Sequence, residues 1–410
     1  MIQVDLSMLI AQNAGLMDRG SGPAPESRRS DLPWVVVPVL WVLLLLAGCQ
    51  ASGLGDGLTA SGGNVAPLAN STYGAGQVTV TVLLPTDPEL RRQAADIADG
   101  AKLAVDDLGG GQIMLDIHTS TSTSGQSVEA VRTAAGSGSK LIVGPATNSE
   151  VSRVIAGASL PRPPILALVA NNSSGGKDIW PLYGDAIDSA LEGVSVAIAA
   201  EQKNIVVVHE ADFPPENLLR LREGIRLNGG NTVGFVAYPS SGTNLRRSFA
   251  AQAQTFSKAN AIVLLGGGQA IGQVIDILAS GEFGASITTA IATSLLPEEM
   301  YKRPSAQGLM LAIPSTSDVG VIADRFKAKY GRDPSYDAAI GYDSVAIAAG
   351  LVRTGGPDAI TTANLTSAQG FRAATGLFRF RPDGRIERRM IVHRIENGSL
   401  KTIREEGEGF

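Results

Sequence analysis

The residues able to do chemistry in this chain are few and scattered. One cysteine, Cys49, stands among 410 residues, so neither an intrachain disulfide framework nor a thiolate metal cluster can form. The three histidines, His118, His209 and His393, lie far apart, each in or beside a strand-like run such as residues 205–209 (IVVVH). A hydrogen bond at a strand end accounts for such a histidine better than a metal ligand does. Gly109-Gly110-Gly111 and Gly266-Gly267-Gly268 could cradle a phosphate, but neither continues as G-x-x-x-x-G-K-S/T or as G-x-G-x-x-G. They read as turns between a strand and a helix. Glu298 and Glu299 are neighbours on a helix and point apart, which does not make the carboxylate pair of a glycosidase. Neither a G-x-S-x-G elbow nor an H-E-x-x-H helix is present. None of these patterns carries the chemistry of an enzyme, so neither a catalytic site nor a cofactor or metal is expected. Asn148 and Ser149 carry the clearest binding signal. They open a helix whose first N–H groups and dipole favour an anion such as a carboxylate, although Asn and Ser also serve simply as caps.

The rest of the composition narrows the class. Hydrophobic residues make up 44% and charged residues 18% of the chain, and the net charge of −5 is spread without a basic block. That excludes a nucleic-acid surface, which needs clustered Lys and Arg. Aromatics at 5% are too few for a stacking cleft. The length exceeds what one core usually holds, so two lobes are expected.

The N-terminus sets the compartment. Residues 33–48 (PWVVVPVLWVLLLLAG) form an apolar stretch behind Arg28 and Arg29 and end at Cys49. A basic flank, an apolar core and small residues before the cut make a secretory signal, and the stretch is short for a spanning helix. Leu46-Ala47-Gly48-Cys49 resembles a bacterial lipobox. That resemblance implies cleavage of residues 1–48 and diacylation of Cys49; the alternative is an uncleaved signal anchor. Residues 1–27 are long for an n-region, and Met17 would be a more ordinary start. Gln50 is not the aspartate associated with inner-membrane retention, so the outer membrane is weakly favoured, with the folded part in the periplasm. Residues 49–76, rich in Gly, Ser, Ala and Asn, read as a flexible tether.

From residue 77 onward, short apolar strands alternate with helices. Residues 77–84, 113–117, 140–143 and 165–169 read as strands, with helices reaching residue 108, over 128–135, from 148 and over 186–200. This rhythm implies a parallel sheet covered on both faces. It restarts with strands at 204–208, 232–237, 261–265 and 286–290 and helices at 216–227, 245–257 and 271–280. The expected organisation is lobe 1 over 77–200, lobe 2 over 201–308, and a return over 309–405. That return has a strand at 309–313, helices at 321–330 and 338–353, and a hairpin of 377–381 with 389–395. Two Rossmann-like α/β lobes joined this way invite a hinge and a cleft.

Several segments resemble type I periplasmic binding proteins of the Leu/Ile/Val-binding kind. They are Phe326-Lys-Ala-Lys-Tyr-Gly-Arg-Asp-Pro-Ser-Tyr336 with Ala338-Ala-Ile-Gly-Tyr-Asp343, and Phe371 through Gly376-Leu377-Phe378-Arg379-Phe380 with Asp383-Gly384. Val143-Gly144-Pro145 before Asn148, and Tyr238-Pro239 with Gly242-Thr243-Asn244, extend the likeness across residues 77–404. The resemblance implies a small ligand between the lobes. It places the ligand carboxylate at Asn148, Ser149, Asn171, Asn172 and Ser173, and the second-lobe contacts at Gly268 and Gln269. Asp188, or failing that Asp185, matches a lobe-one acid that helps hold an ammonium. Departures stand out: no carboxylate follows Gly266-Gly267, Pro214-Pro215 replaces a Tyr-Gly pair, and Asn244 replaces an aspartate. The resemblance implies a monomeric solute-binding protein of an ABC-type transporter working with a permease. The alternative it leaves is a lipoprotein activator of a peptidoglycan synthase, of the penicillin-binding-protein activator kind.

Overall fold

Residues 78–85 (VTVTVLLP) show how the sequence builds the molecule. The run is rich in β-branched residues and buried almost throughout, as a central parallel strand covered on both faces must be. The computed structural model describes residues 66–109, 111–121, 125–170, 178–283, 287–315 and 319–410. In it β1 is Ser71–Gly74, β2 Val78–Pro85, β3 Ile113–Ser120, β4 Leu141–Val143, β5 Ile165–Ala170 and β6 Ile179–Tyr183. They form one sheet in the order β1-β3-β2-β4-β5-β6, parallel except for β1 against β3. Helix Arg91–Leu108 turns Ile97, Ala101, Ala104 and Leu108 into the core beneath it, beside helix Tyr336–Gly355. This is lobe 1.

Lobe 2 is built around β7 (Asn204–Glu210), β8 (Asn231–Tyr238), β9 (Ala261–Leu265), β10 (Thr289–Ile291) and β11 (Met310–Ile313). These five run parallel, and β15 (Ile391–Glu396) and β16 (Ser399–Arg404) add antiparallel strands beyond β11. The order is β16-β15-β11-β10-β9-β7-β8. A third, small antiparallel sheet of β12 (Phe371–Ala373), β13 (Gly376–Phe380) and β14 (Ile386–Arg388) packs Phe371, Phe378 and Phe380 into the lobe 1 core.

The two-lobed parallel architecture expected from the sequence is present, but its boundaries move. Helix Ala186–Ala199, expected in lobe 1, lies on the lobe 2 sheet. Its Ile187, Ala190 and Val194 share a core with Val207, Val263 and Ala312, and Ser189 Oγ donates to Ala312 O at 2.6 Å. The lobes therefore divide after Tyr183 and not after residue 200. Met310–Ile313, expected to begin the return, belongs to lobe 2, and the return follows it. The hairpin pairs Gly376–Phe380 with Ile386–Arg388, while residues 391–396 join the other sheet. The helix expected over 245–257 breaks into Leu245–Ala250 and Ala253–Phe256. The tether is shorter than expected, because Ser71–Gly74 is a paired strand and Tyr73 Oη donates to Asp106 Oδ1 at 2.8 Å. Gly76, counted as a sign of flexibility, is a close approach instead: a Cβ there would lie 2.0 Å from the Gln112 carbonyl carbon. The signal segment, Cys49 and most of the tether lie outside the described residues. Among the described residues, no helix is long and apolar enough to cross a membrane.

The connections fix which edges face the hinge. The chain leaves lobe 1 at the carboxyl end of β6 and leaves lobe 2 at the carboxyl end of β11. It passes again from β14 into β15, entering beside the carboxyl end of β11. The carboxyl edges of both parallel sheets therefore look toward the same hinge, where open α/β sheets hold ligands.

Candidate functional site

On the lobe 1 side, β4 ends in Gly144-Pro145 and the chain enters helix Asn148–Gly157. Thr147, and neither Asn148 nor Ser149, is the N-cap. Its Oγ1 accepts the Glu150 N–H at 3.3 Å and donates to Glu150 Oε2 at 3.0 Å. Glu150 is buried, and that burial raises its carboxyl above the usual range, against the hydrogen bond from Thr147. With the cap supplied from the preceding residue, Asn148 and Ser149 are exposed in the first turn. Ser149 Oγ lies 3.2 Å from the capping Thr147 Oγ1, and a helix start of this kind is a position where an anion is favoured. Asn171, Asn172 and Ser173, expected at the next strand end, lie outside the described residues.

The floor beside the first crossing is polar and aromatic. Tyr183, the last residue of β6, donates to Asp337 Oδ1 at 2.5 Å and accepts from Gln93 Nε2 at 3.3 Å. Burial, reinforced by the charge of Asp337, drives its hydroxyl pKa upward, so Tyr183 acts as a donor. The ring of Tyr336 lies 6.1 Å from that of Tyr183.

Asp188 is paired at the start of a lobe 2 helix. It closes a capping box with Asp185 at the start of helix Ala186–Ala199. Its Oδ2 accepts the Asp185 N–H at 3.1 Å, and its Oδ1 accepts from Arg220 at 2.6 Å. Arg220 also donates to both oxygens of Asp185, at 2.5 and 2.8 Å. One guanidinium thus serves two carboxylates. Burial first, and then the neighbouring charge of Asp185, raise the Asp188 carboxyl against the pull of Arg220. Asp188 also lines a polar cavity of about 580 Å³ with Glu192, Arg389 and Arg404. Asp188, and Asp185 as its substitute, are thus engaged with Arg220 and with the start of helix Ala186–Ala199.

A carboxylate from another strand end lies against the turn Gly266-Gly267-Gly268. Glu210, the last residue of β7, places Oε1 3.1 Å from the Gly268 N–H and 3.5 Å from Tyr238 Oη. The glycines are required by this approach. A Cβ on Gly266 would sit 2.0 Å from Tyr238 Oη, and one on Gly268 would sit 2.9 Å from Glu210 Oε1. The triplet is therefore a packed turn and not a phosphate cradle. Tyr238 is buried, and burial together with the Glu210 charge pushes its hydroxyl pKa up, keeping it a donor to that carboxylate. Two residues on, Asp212 is exposed and accepts from Ser240 Oγ at 2.9 Å. Gly268 and Gln269 are exposed at this edge and border a depression of about 480 Å³ with Pro297, Met300 and Arg303. The exposed side chain of Leu295 adds apolar surface beside Gly267.

Sequence reasoning missed Glu210, Asp212 and Tyr238 as a group. The available signal was a pair of acids directly after an apolar strand run, at the carboxyl end of a parallel strand. The histidines make local contacts: His118 with Asp116 at 2.9 Å, His209 with the Glu210 carbonyl at 2.7 Å, and His393 with Thr402 at 3.3 Å. Among the described residues, no three metal-ligating side chains come together. Glu298 and Glu299 are exposed on a 3-10 turn.

Comparison with known proteins supports the architecture. No family model matches the chain, and no curated protein matches it. Solved structures do. A putative branched-chain amino acid ABC transporter protein from Rhodospirillum rubrum superposes with a TM-score of 0.62 at 18% identity, covering 80% of this chain and 99% of its own. The branched-chain amino acid transporter substrate-binding protein of Streptococcus pneumoniae, in complex with isoleucine, gives 0.52 at 17% identity over 80% and 99%. A solute-binding protein of an ABC transporter from Rhodopseudomonas palustris BisB5, in complex with 3,4-dihydroxybenzoic acid, gives 0.53 at 15% over 81% and 97%. At these identities the likeness establishes the fold: two lobes of the type I periplasmic binding protein kind.

Proposed function

We propose, from this shared two-lobed fold, that the protein binds a small carboxylate-bearing solute between its lobes as the extracytoplasmic component of an ABC-type uptake system. The observation that carries the reading is the opposition of chemistries on the two carboxyl edges. An exposed helix start at Asn148 and Ser149 suits an anion, and the carboxylate of Glu210 stands at the lobe 2 edge. A solute with a carboxylate at one end and a cation or hydrogen-bond donor at the other satisfies both. An uncompensated charge in a closed cleft would be costly, so Glu210 takes the place of the acid absent after Gly266-Gly267. The solved neighbours include complexes with isoleucine and with a hydroxylated benzoate, which supports a carboxylate ligand and leaves its other end to this chain's own residues. The protein would be exported and held at a membrane, with the outer one weakly favoured, through a lipid on Cys49, and would act as a monomer with a partner permease.

A second reading, activation of a peptidoglycan synthase through protein contact, draws on Asp188 being committed to Arg220, which removes one acid that an amino-acid site would use. Thermal melting against apolar amino acids and aromatic carboxylates separates the two. A bound solute stabilises by about 2.7 kcal/mol at a hundred times its dissociation constant. A flat panel, with a synthase recovered by pull-down from envelope extract, would overturn the uptake reading. For the anchor, Cys49→Ser should release the protein from membranes and abolish palmitate labelling; unchanged labelling would refute it.

A further inference from the structure

After the last strand the chain returns once more to lobe 1. β16 ends at Arg404 in the lobe 2 sheet, where the guanidinium pairs with Glu192 and donates to Ser195 Oγ on helix Ala186–Ala199. One residue intervenes before Glu406, which is already bound to the small sheet of lobe 1. Glu406 Oε1 accepts the Leu377 N–H at 2.5 Å, and Oε2 pairs with Arg372 at 3.3 Å. The Glu406 side chain is only 9% exposed, so it is seated and not resting on the surface. Farther on, Gly407 O accepts from Arg372 at 3.4 Å, and Gly409 O accepts from Arg389 Nε at 2.9 Å. The ring of Phe410 lies 4.4 Å from the Arg379 guanidinium and 5.1 Å from that of Arg389. Arg379 belongs to β13, whereas Arg389 sits in the connection between lobes and reaches Glu192 at 3.4 Å.

We propose that residues 405–410 form a strap across the hinge that limits how far the lobes open. The geometry leaves little slack. Two residues of extended chain reach at most about 7 Å, so the lobe 2 anchor at Arg404 and the lobe 1 anchor at Glu406 cannot be drawn further apart than that without releasing one of them. Opening the lobes by rotation about the connecting segments must stretch this span or release Glu406 and Phe410.

The test is a distance measurement between lobes on the full chain. Spin labels go on Leu160→Cys in lobe 1 and Leu227→Cys in lobe 2, both well exposed, in a Cys49→Ser background so that only the introduced thiols react. Pulsed electron-electron resonance compares this protein with one also carrying Glu406→Ala and Phe410→Ala. The expected result is a broader distribution with density shifted to longer distances. Distributions that superimpose would overturn the proposal. If the double variant does not fold, Glu406→Gln keeps the acceptor for the Leu377 N–H and loses only the charge facing Arg372, and should show a smaller shift in the same direction. A folded Glu406→Gln protein without that shift, or failure of both variants to fold, would make the segment a structural part of the small sheet and dismiss the strap.

Discussion

The carboxylate of Glu210 accepts the backbone N–H of Gly268 at 3.1 Å, joining the ends of β7 and β9 at the lobe 2 edge of the hinge. This contact fixes the carboxylate without neutralising it, since a peptide N–H carries no formal charge. Glu210→Gln keeps the acceptor and removes the charge. The expected outcome is a melting curve within about 1 kcal/mol of the parent, together with at least a tenfold weaker solute affinity by titration calorimetry, a loss of about 1.4 kcal/mol. Undiminished affinity would show that Glu210 serves only the turn.

Gly266 is predicted to be intolerant of any side chain. In Gly266→Ala the new methyl would meet the Tyr238 hydroxyl at 2.0 Å, and Tyr238 is 1% exposed and has nowhere to go. Overpacking of this kind costs roughly 1–3 kcal/mol. Denaturant unfolding checks the loss, and solute binding should weaken with it because Tyr238 and Glu210 move together.

Arg220 holds two largely buried carboxylates, so Arg220→Met should be far more damaging than a surface change. Removing one partner of a buried ion pair costs about 3–5 kcal/mol. Both the parent and the variant should gain stability as the pH falls from neutral toward 5, because burial and then Asp185 raise the Asp188 carboxyl to about 7 in the parent, and loss of Arg220 can only raise it further. Unfolding curves at the two pH values decide this.

A fourth prediction concerns Asp343, which is fully buried in helix Tyr336–Gly355. It accepts from the N–H groups of Ala374 and Thr375 at 2.8 and 2.9 Å and from Thr375 Oγ1 at 2.5 Å. Burial pushes its carboxyl up to about 6, against those hydrogen bonds and the charge of Arg388. Between about pH 4 and 6 the folded protein holds a proton that the unfolded chain has released. The stabilisation is complete below that window and disappears as the pH rises through it. Measured against Asp343→Asn, which cannot titrate, the parent should gain about 2 kcal/mol as the pH falls from 7 to 4.5. A difference that stays flat with pH would contradict this.

Much of the scaffold was legible because its signals are local. Short apolar runs such as Ala261–Leu265 and the helical spacing of Ile97, Ala101, Ala104 and Leu108 reveal period and burial within a few residues. What was not legible depends on partners distant in sequence. The apolar face of helix Ala186–Ala199 announces burial, but nothing in it says which sheet will cover it. Ile179–Tyr183 is a strand despite Pro181, because it lies at the sheet edge where a missing N–H is tolerated. Ser71–Gly74 looked like linker, since glycine serves close approach as readily as flexibility. Asn148 and Ser149 were legible as a helix start, which the structure places at the head of helix Asn148–Gly157. Glu210 was missed because its partner, Gly268, is 58 residues away.

The account stands most directly on closure of the lobes around a solute. Small-angle X-ray scattering, with and without saturating amounts of the solute that most raises the melting temperature, tests it. A decrease in the radius of gyration that is lost in Glu210→Gln at the same solute concentration is the predicted result. A bound solute that leaves the scattering curve unchanged, or a screen in which no amino acid or aromatic carboxylate binds, would contradict it.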